Sequence, residues 1–228
     1  MTILDDKINE IETKVRSSQL KMPCYYDYHY RYWANVIPLI GNNGLWMEFG
    51  VFRGRSIQRI SSLHTHVIYG FDSFNGLHEA WDASNPKGSY DSGGIIPAGA
   101  IVGDNHSMFD RSPTKQTEPW NINVRLIKGY FEDTLPEFLK EHPEKAAFLH
   151  IDSDLYSSCV TILTNMKDRI VNGTIICFDD FIDFGSYREG EMKAFAEFLI
   201  DTGLGFDSLI YHGAGTEYAQ ACVRIKSI

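Results

Sequence analysis

The chain has 228 residues, 43% of them hydrophobic and 22% charged, so we expect one compact domain with a sizeable core. No apolar run approaches the roughly 20 residues that cross a bilayer, which argues against a membrane protein. The formal net charge of −9 comes without any cluster of Lys and Arg, and this argues against a nucleic-acid-binding surface. The expected partners are therefore small molecules.

The first residues, MTILDDKINEIETK, alternate charged and aliphatic side chains. A secretory signal would instead begin with a basic stretch and an apolar block, so this start predicts a cytoplasmic protein. The four cysteines include no C-x-x-C pair, which predicts small buried residues rather than zinc ligands or disulfides: Cys24, Cys159, Cys177 and Cys222.

Residues 1–40 are predicted to form an N-terminal helical segment. Aliphatic residues at helical spacing predict a first helix over 3–17, and an aromatic-rich second helix is predicted over 25–40. The aromatic residues of the second helix fit either packing, including a contact in a homo-oligomer, or a lid over a binding site. Residues 41–228 are assigned to the main domain.

From residue 45 onward, short apolar runs alternate with helical stretches, which is typical of a parallel sheet covered on both faces. Strands are predicted over Leu45–Gly50, Val67–Phe71, Val124–Ile127, Ala147–Ile151, Thr174–Phe178, Phe206–Tyr211 and Ala219–Ile225. The intervening helices are predicted over 55–63, 134–142, 156–170 and 189–201. This pattern predicts an α/β, Rossmann-like fold with a seven-stranded, mostly parallel sheet and a C-terminal antiparallel hairpin.

Residues 75–123 interrupt this alternation. They are rich in Gly, Pro, Asp and Ser, yet they contain several large apolar side chains: Trp81, Tyr90, Met108, Phe109 and Trp120. Long insertions in compact domains are usually functional or disordered, and the aromatic content argues against disorder. The segment is therefore predicted to be a loop that covers the substrate.

The first candidate site is the turn after the first predicted strand of the main domain. Gly50 and Gly54 form a G-x-x-x-G spacing that fits either a simple strand-to-helix turn or a close backbone approach to a ligand. Glu48 just before it suits the cationic end of S-adenosylmethionine and would repel a pyrophosphate. Asp72 ends the next strand, where it is placed either to accept hydrogen bonds from ribose hydroxyls or to cap its own turn.

Two pairs of aspartates follow two later strands. Asp152 and Asp154 follow one, and Asp179 and Asp180 follow the other. The carboxyl ends of adjacent parallel strands meet at one edge of the sheet, so these four carboxylates are expected to crowd one crevice. Such crowding is costly without a cation or shared protons, and oxygen ligands suit Mg²⁺ or another hard divalent cation.

The sequences of five segments, and their order along the chain, resemble those of the macrocin O-methyltransferase type of class I methyltransferase. These segments are EFGVFRGRS, YGFDSFNGL, KGYFEDTLPEFL, FLHIDSDLYSS and GTIICFDDF. The resemblance implies the class I methyltransferase fold, with Asp154 as the general base and metal ligands at Asp152, Asp179 and Asp180. It also implies contacts to S-adenosylmethionine from Glu48, Gly50, Ser56, Asp72, Ser73, Gly129, Phe131 and Asp152.

These residues together predict an O-methyltransferase that acts on a hydroxyl of a small molecule, a sugar or a glycosylated metabolite. A cation would lower the pKa of the hydroxyl, and Asp154 would take its proton. His150 is a second candidate base, although a histidine in a buried strand is more often structural. The rival enzyme is a metal-dependent glycosyltransferase that uses the D-x-D of Asp152 and Asp154. A non-catalytic binding subunit would be expected to lack the cofactor carboxylates.

Overall fold

An eight-stranded sheet organises the chain in this computed structural model, which describes residues 2–22, 28–41, 43–101, 117–213 and 219–227. The strands of the main sheet are β1 (Leu20–Met22), β2 (Leu45–Phe49), β3 (Ile68–Asp72), β6 (Val124–Lys128), β7 (Ala146–Ile151), β8 (Ile175–Ile182), β9 (Gly205–His212) and β10 (Ala219–Lys226). A separate antiparallel pair is formed by β4 (Ala100–Ile101) and β5 (Thr117–Glu118). The helices are α1 (Ile3–Arg16), α2 (Tyr28–Val36), α3 (Arg55–Ser62), α4 (Phe131–Glu141), α5 (Tyr156–Met166) and α6 (Glu191–Thr202).

The spatial order of the main sheet is β1-β9-β10-β8-β7-β2-β3-β6. Strands β6, β3, β2, β7 and β8 run parallel, and β10 runs antiparallel to both of its neighbours. Every residue of β2 and of β7 is buried because one apolar cluster covers each face of the sheet. The parallel order brings the carboxyl ends of five strands to one edge, where ligands bind in open α/β sheets.

The predicted fold is confirmed, and the sheet gains one strand that the sequence did not indicate. All seven predicted strands are present, and β1 from the N-terminal segment pairs in parallel with β9, Leu20 lying opposite Ile210. Residues 1–40 are thus not purely helical. Helix α1 buries Ile8, Ile11 and Val15 against the same core as α6, so this segment is part of the packed domain. Its roles as a lid or an oligomer contact stay predictions.

Strand β8 is longer than predicted, and this changes where two aspartates lie. The predicted strand ended at Phe178, whereas β8 continues to Ile182. The extension is paired with β10, where Ala219 lies opposite Ile182. Asp179 and Asp180 therefore lie inside a strand. The pairing with β10 shifts register between Phe178 and Ile182, so the regular alternation of side chains is interrupted at these two aspartates.

The long insertion is anchored to the domain over the parts that the structure describes. The Trp120 indole donates a hydrogen bond to the Pro97 carbonyl at 2.9 Å, and Lys128 donates to the Gly94 carbonyl at 2.5 Å. Residues 102–116, which include Met108 and Phe109, lie outside the described residues. Among the helices that are described, none has the length and apolar character to cross a bilayer.

Candidate active site

The glycine turn after β2 is pressed against the end of β7. Gly50 has a φ of +92°, and its amide donates to the Phe71 carbonyl at 2.9 Å. A Cβ at this position would lie 1.8 Å from the Asp152 carbonyl oxygen, so no other residue fits without moving the backbone. A Cβ on Gly54, at the start of α3, would lie 2.1 Å from the Trp120 ring. Close packing thus favours glycine at both positions, at Gly50 against the backbone of a predicted metal ligand and at Gly54 against the insertion.

Glu48 is fully buried, and both of its carboxylate oxygens have partners inside the fold. The Ser56 hydroxyl donates to Oε1 at 2.9 Å, and Nδ1 of His150 lies 3.0 Å from Oε2. The side chain is 0% exposed, so it faces the interior rather than an open crevice. The structure joins two predicted cofactor residues, Glu48 and Ser56, into one buried network with His150. Their contact with S-adenosylmethionine stays a prediction.

Asp72 caps its own turn, as one of the two sequence interpretations proposed, and it also caps the glycine turn after β2. Oδ2 accepts from the amides of Val51 at 2.8 Å and Phe52 at 2.6 Å, and Oδ1 accepts from the amide of Phe74 at 2.6 Å. A carboxylate offers about four acceptor positions, so one is left on this half-buried group. Capping and ribose binding are therefore compatible. The neighbouring Ser73 accepts from the Asn75 amide at 3.1 Å and begins the insertion.

Gly129 and Phe131 lie at the same edge of the sheet as Asp72, after the neighbouring strand β6. The Gly129 amide donates to the Asp72 carbonyl at 2.9 Å, continuing the β3–β6 pairing by one residue. Phe131 begins α4, and its ring packs edge-on to Phe49 with 5.6 Å between centroids. The predicted cofactor residues at the ends of β2, β3 and β6 thus lie along one edge.

The predicted aspartates do converge, in two groups that share Asp152. One group is His150, Asp152 and Asp179, and the other is Asp152, Asp154 and Asp180. In each group one ligand atom from each residue lies within 4.8 Å of the others. The predicted ligands Asp152, Asp179 and Asp180 are therefore divided between the two groups, with Asp179 in one, Asp180 in the other and Asp152 in both.

Burial and mutual repulsion dominate the electrostatics of this acidic centre. Burial raises the pKa of Asp152 well above its usual range, and the charge of Asp179 raises it further. Burial also raises the pKa of Asp154, with Asp152 adding to the effect, and that of Asp180, with Asp154 adding to it. Excess negative charge of this kind is relieved by protons or by a bound cation.

The backbone of Asp154 is strained. Its φ of +58° lies in the left-handed region, which a residue with a Cβ seldom adopts. Such conformations cost on the order of 1–3 kcal/mol and persist where the surrounding structure holds them, often at functional sites. The turn after β7 thus aims the Asp154 carboxyl toward Asp152 and Asp180.

The structure adds one buried carboxyl that the sequence did not single out. Glu191 begins α6, is 0% exposed, and accepts the Ser153 amide at 3.4 Å. Burial raises its pKa, and the charges of Asp180 and Asp179 raise it further. An acidic residue in the first turn of a helix is common, so the sequence carries no signal for this role.

The aromatic run of the N-terminal segment also reaches the site. The Trp33 ring packs edge-on to His150, with 4.7 Å between centroids, and Tyr32 is buried beside it. Tyr25 and Tyr26 lie outside the described residues. The segment thus contributes to the wall behind His150.

Sequence comparisons relate the chain to one family of methyltransferases. Residues 35–200 match the sequence model of the family described as Macrocin-O-methyltransferase (TylF). The chain is 28% identical over 158 residues to demethyldecarbamoylnovobiocin O-methyltransferase of Streptomyces niveus, covering 64% of this chain and 57% of the relative. It is 26% identical over 148 residues to mycinamicin III 3''-O-methyltransferase of Micromonospora griseorubida, covering 59% and 54%. The matched region spans little more than half the length of these relatives.

Solved structures share the fold. The calicheamicin methyltransferase CalS11 superposes with a TM-score of 0.62 at 18% identity, covering 96% of this chain and 91% of its own. The O-methyltransferase NovP gives a TM-score of 0.54 at 19% identity, covering 89% and 79%. A Bacillus cereus O-methyltransferase in complex with SAH gives 0.52 at 11% identity, covering 96% and 90%. With its class I methyltransferase fold and a family match over most of its length, this chain belongs to the macrocin O-methyltransferase family.

Proposed function

We propose that this protein is an S-adenosylmethionine-dependent and divalent-cation-dependent O-methyltransferase. Its acceptor is a hydroxyl group of a small molecule, a sugar or a glycosylated metabolite. The observation that carries the proposal is the convergence of Asp152, Asp154, Asp179 and Asp180 at the edge where the glycine turn and Asp72 also lie. Family membership favours methyl transfer over glycosyl transfer, the rival interpretation of the D-x-D. The mycinamicin relative, whose name places its methyl group at a 3'' hydroxyl, supports a sugar acceptor.

The crevice fits the cofactor at its Asp72 end. The spare acceptor position of Asp72 suits a ribose hydroxyl, and the Phe131 ring offers an apolar surface for an adenine. Gly50, Ser73, Gly129 and Asp152 line the same edge. Glu48 and Ser56 would act from behind this surface, since the Glu48 side chain is buried.

The acidic centre fits a divalent cation by the chemistry of its donors. Asp152, Asp179 and Asp180 are proposed to hold the ion, with Asp152 as the residue that the two groups share. Their carboxylate oxygens are ligands that Mg²⁺ prefers. A bound cofactor supplies an electrophilic methyl group on its sulfonium, and a bound cation makes an acceptor hydroxyl more acidic.

Asp154 is proposed to accept the hydroxyl proton. Burial and the charge of Asp152 raise its pKa, which makes its carboxylate a stronger proton acceptor once it is ionised. The strained turn fixes its position relative to Asp152. Because the methyl donor is already activated, positioning of the acceptor would be the larger part of the catalytic effect.

The direct test is transfer of a labelled methyl group from S-adenosylmethionine to a panel of glycosides and nucleotide sugars. Activity with Mg²⁺ that disappears in EDTA is the expected result. Full activity in EDTA would remove the cation from the mechanism. Tighter binding of a nucleotide sugar than of S-adenosylmethionine, measured by calorimetry, would favour the glycosyltransferase instead. The cytoplasmic location and the homo-oligomer contact stay predictions, and gel filtration tests the second.

A further inference from the structure

We propose that His150 is a nitrogen ligand of the cation, binding through Nε2 together with Asp152 and Asp179. The site would then hold an imidazole-preferring ion such as Co²⁺ more tightly than an all-oxygen site would. This proposal rests on the cation site of the proposed function and adds a ligand of a different chemical class to it. It also assigns a role to the histidine that the proposed mechanism leaves unused.

The geometry brings the three side chains to one point. His150 and Asp152 are two residues apart at the end of β7, so they project from the same face of the sheet. The Asp152 amide still donates to the Phe49 carbonyl at 2.9 Å, so the strand geometry holds to that residue. Asp179 lies across from them on β8, and one ligand atom of each residue lies within 4.8 Å of the others.

Nε2 of His150 is buried and has no hydrogen-bond partner among the described residues. The residue is 1% exposed. Nε2 lies 3.9 Å from Oδ1 of Asp179, which is beyond hydrogen-bond length, and that oxygen already accepts from Gln220. Buried polar atoms are nearly always satisfied, so an unpartnered one that faces two carboxylates indicates a missing positive partner.

The other ring nitrogen is arranged as in metal-binding histidines. Nδ1 lies 3.0 Å from Oε2 of Glu48, and the Ser56 hydroxyl donates to the other oxygen at 2.9 Å. Metal-ligating histidines almost always donate their second N–H to a carboxylate or carbonyl, which fixes the tautomer and leaves the opposite nitrogen free to ligate. The edge-on Trp33 ring holds the plane of the imidazole. The negative charge of the nearby carboxylates favours a proton on Nε2, and binding of the cation at this nitrogen would release that proton.

The all-oxygen group of Asp152, Asp154 and Asp180 is the competing position for the ion. An ion there would be held by carboxylates alone, which suits Mg²⁺ and Mn²⁺, whereas imidazole suits Co²⁺, Ni²⁺ and Zn²⁺. The two positions therefore differ in a property that can be measured, namely whether nitrogen lies in the first coordination shell.

Pulsed EPR on the tag-free protein with one equivalent of Cu²⁺, an ion that imidazole binds well, tests this directly. The protein is produced once with natural histidine and once with ¹⁵N-histidine. Nuclear modulation from a directly bound imidazole, shifted from the ¹⁴N to the ¹⁵N pattern by the labelling, is the expected result. Bound Cu²⁺ without such modulation would overturn the proposal while leaving the metal-dependent function intact. No binding of Mn²⁺, Mg²⁺ or Co²⁺ at all would overturn both.

Variants assign the signal to one of the eight histidines. His150→Gln should lose the modulation and about 10- to 100-fold in Co²⁺ affinity by calorimetry, with a smaller loss for Mg²⁺. His66→Gln is the matched control, because His66 is exposed before β3 at the opposite edge of the sheet. Persistence of the modulation in a folded His150→Gln protein would refute the assignment. If that variant does not fold, His150→Asn takes its place, and absence of modulation in the labelled native protein overturns the proposal in either case.

Discussion

Replacing Asp72 tests whether one carboxylate both supports the glycine turn and binds the cofactor. Its oxygens accept three backbone amides at 2.6–2.8 Å. Hydrogen bonds to a charged group contribute about 1.5–3 kcal/mol each, but the group is half-buried and water can replace part of this. We expect Asp72→Ala to lower the free energy of unfolding by about 2–4 kcal/mol without any ligand present. At this chain length that corresponds to a fall in Tm of roughly 5–15 °C.

Asp72→Asn is the more selective variant, because it disturbs one of the three hydrogen bonds. The amide oxygen can serve the amides of Val51 and Phe52, but the NH₂ group would then face the Phe74 amide, donor against donor. The expected loss is about 1–3 kcal/mol, the cost of one unsatisfied buried donor. Urea unfolding of the ligand-free protein measures both variants.

Asp91→Asn is the matched control, since Asp91 is exposed and accepts a single amide, that of Gly93, at 2.7 Å. It should change stability by less than about 0.5 kcal/mol. Calorimetry should also show weaker binding of S-adenosylmethionine to the Asp72 variants. Native stability in both variants would refute the structural role, and native cofactor affinity in a folded variant would refute the ribose contact.

The remaining predictions concern the acidic centre. Asp154→Asn should keep near-normal affinity for cation and cofactor while turnover falls by about 10²- to 10⁴-fold, and rescue by extra Mg²⁺ would contradict its role as base. Asp180→Asn should instead weaken Mg²⁺ binding, which calorimetry measures, and excess Mg²⁺ should restore part of the activity. A variant that excess Mg²⁺ cannot rescue would argue against a ligand role for Asp180. In EDTA, the raised pKa values of Asp152, Asp154, Asp180 and Glu191 mean that the folded state binds more protons than the unfolded state. The stability from these groups is fully present below the unfolded carboxyl pKa of about 4 and is lost as pH rises through the folded values. Urea unfolding in EDTA should therefore give a lower stability at pH 8 than at pH 5.5, and Mg²⁺ should reduce the difference; a metal-free stability that rises over this range would contradict the assignment.

The central strands could be predicted because their sequences are continuous apolar runs. Strand β7 is buried on both faces, and its residues read as an unbroken hydrophobic stretch up to His150. The convergence of Asp152 and Asp154 with the β8 aspartates followed from the parallel order of the strands, and the structure brings them together. Local sequence pattern and strand topology were therefore sufficient to predict the central strands and the convergence of the aspartates.

What could not be predicted depends on partners far away in the chain. Asp179 and Asp180 lie within β8 because β10, about 40 residues later, extends the pairing to Ile182. The acceptance of three amides by Asp72 depends on left-handed conformations at Phe52 and Phe74, which aromatic residues seldom adopt. Glu191 becomes a buried part of the site only through the packing of α6. None of these contacts leaves a periodic signal in the sequence.

The strand that residues 1–40 add to the sheet has a consequence for aggregation. Strand β9 would otherwise present a row of unpaired backbone groups, which is a template for pairing with another chain. Strand β1 covers only the end of it, from Ile210 to His212, and Lys14 of α1 donates to the Phe206 carbonyl at 3.4 Å farther along. A charged lysine beside an edge is a common protection against such pairing. Removal of the N-terminal segment would therefore expose an eight-residue edge that other copies of the chain could extend, together with the core surface that Ile8, Ile11 and Val15 cover, so aggregation should accompany the loss of stability.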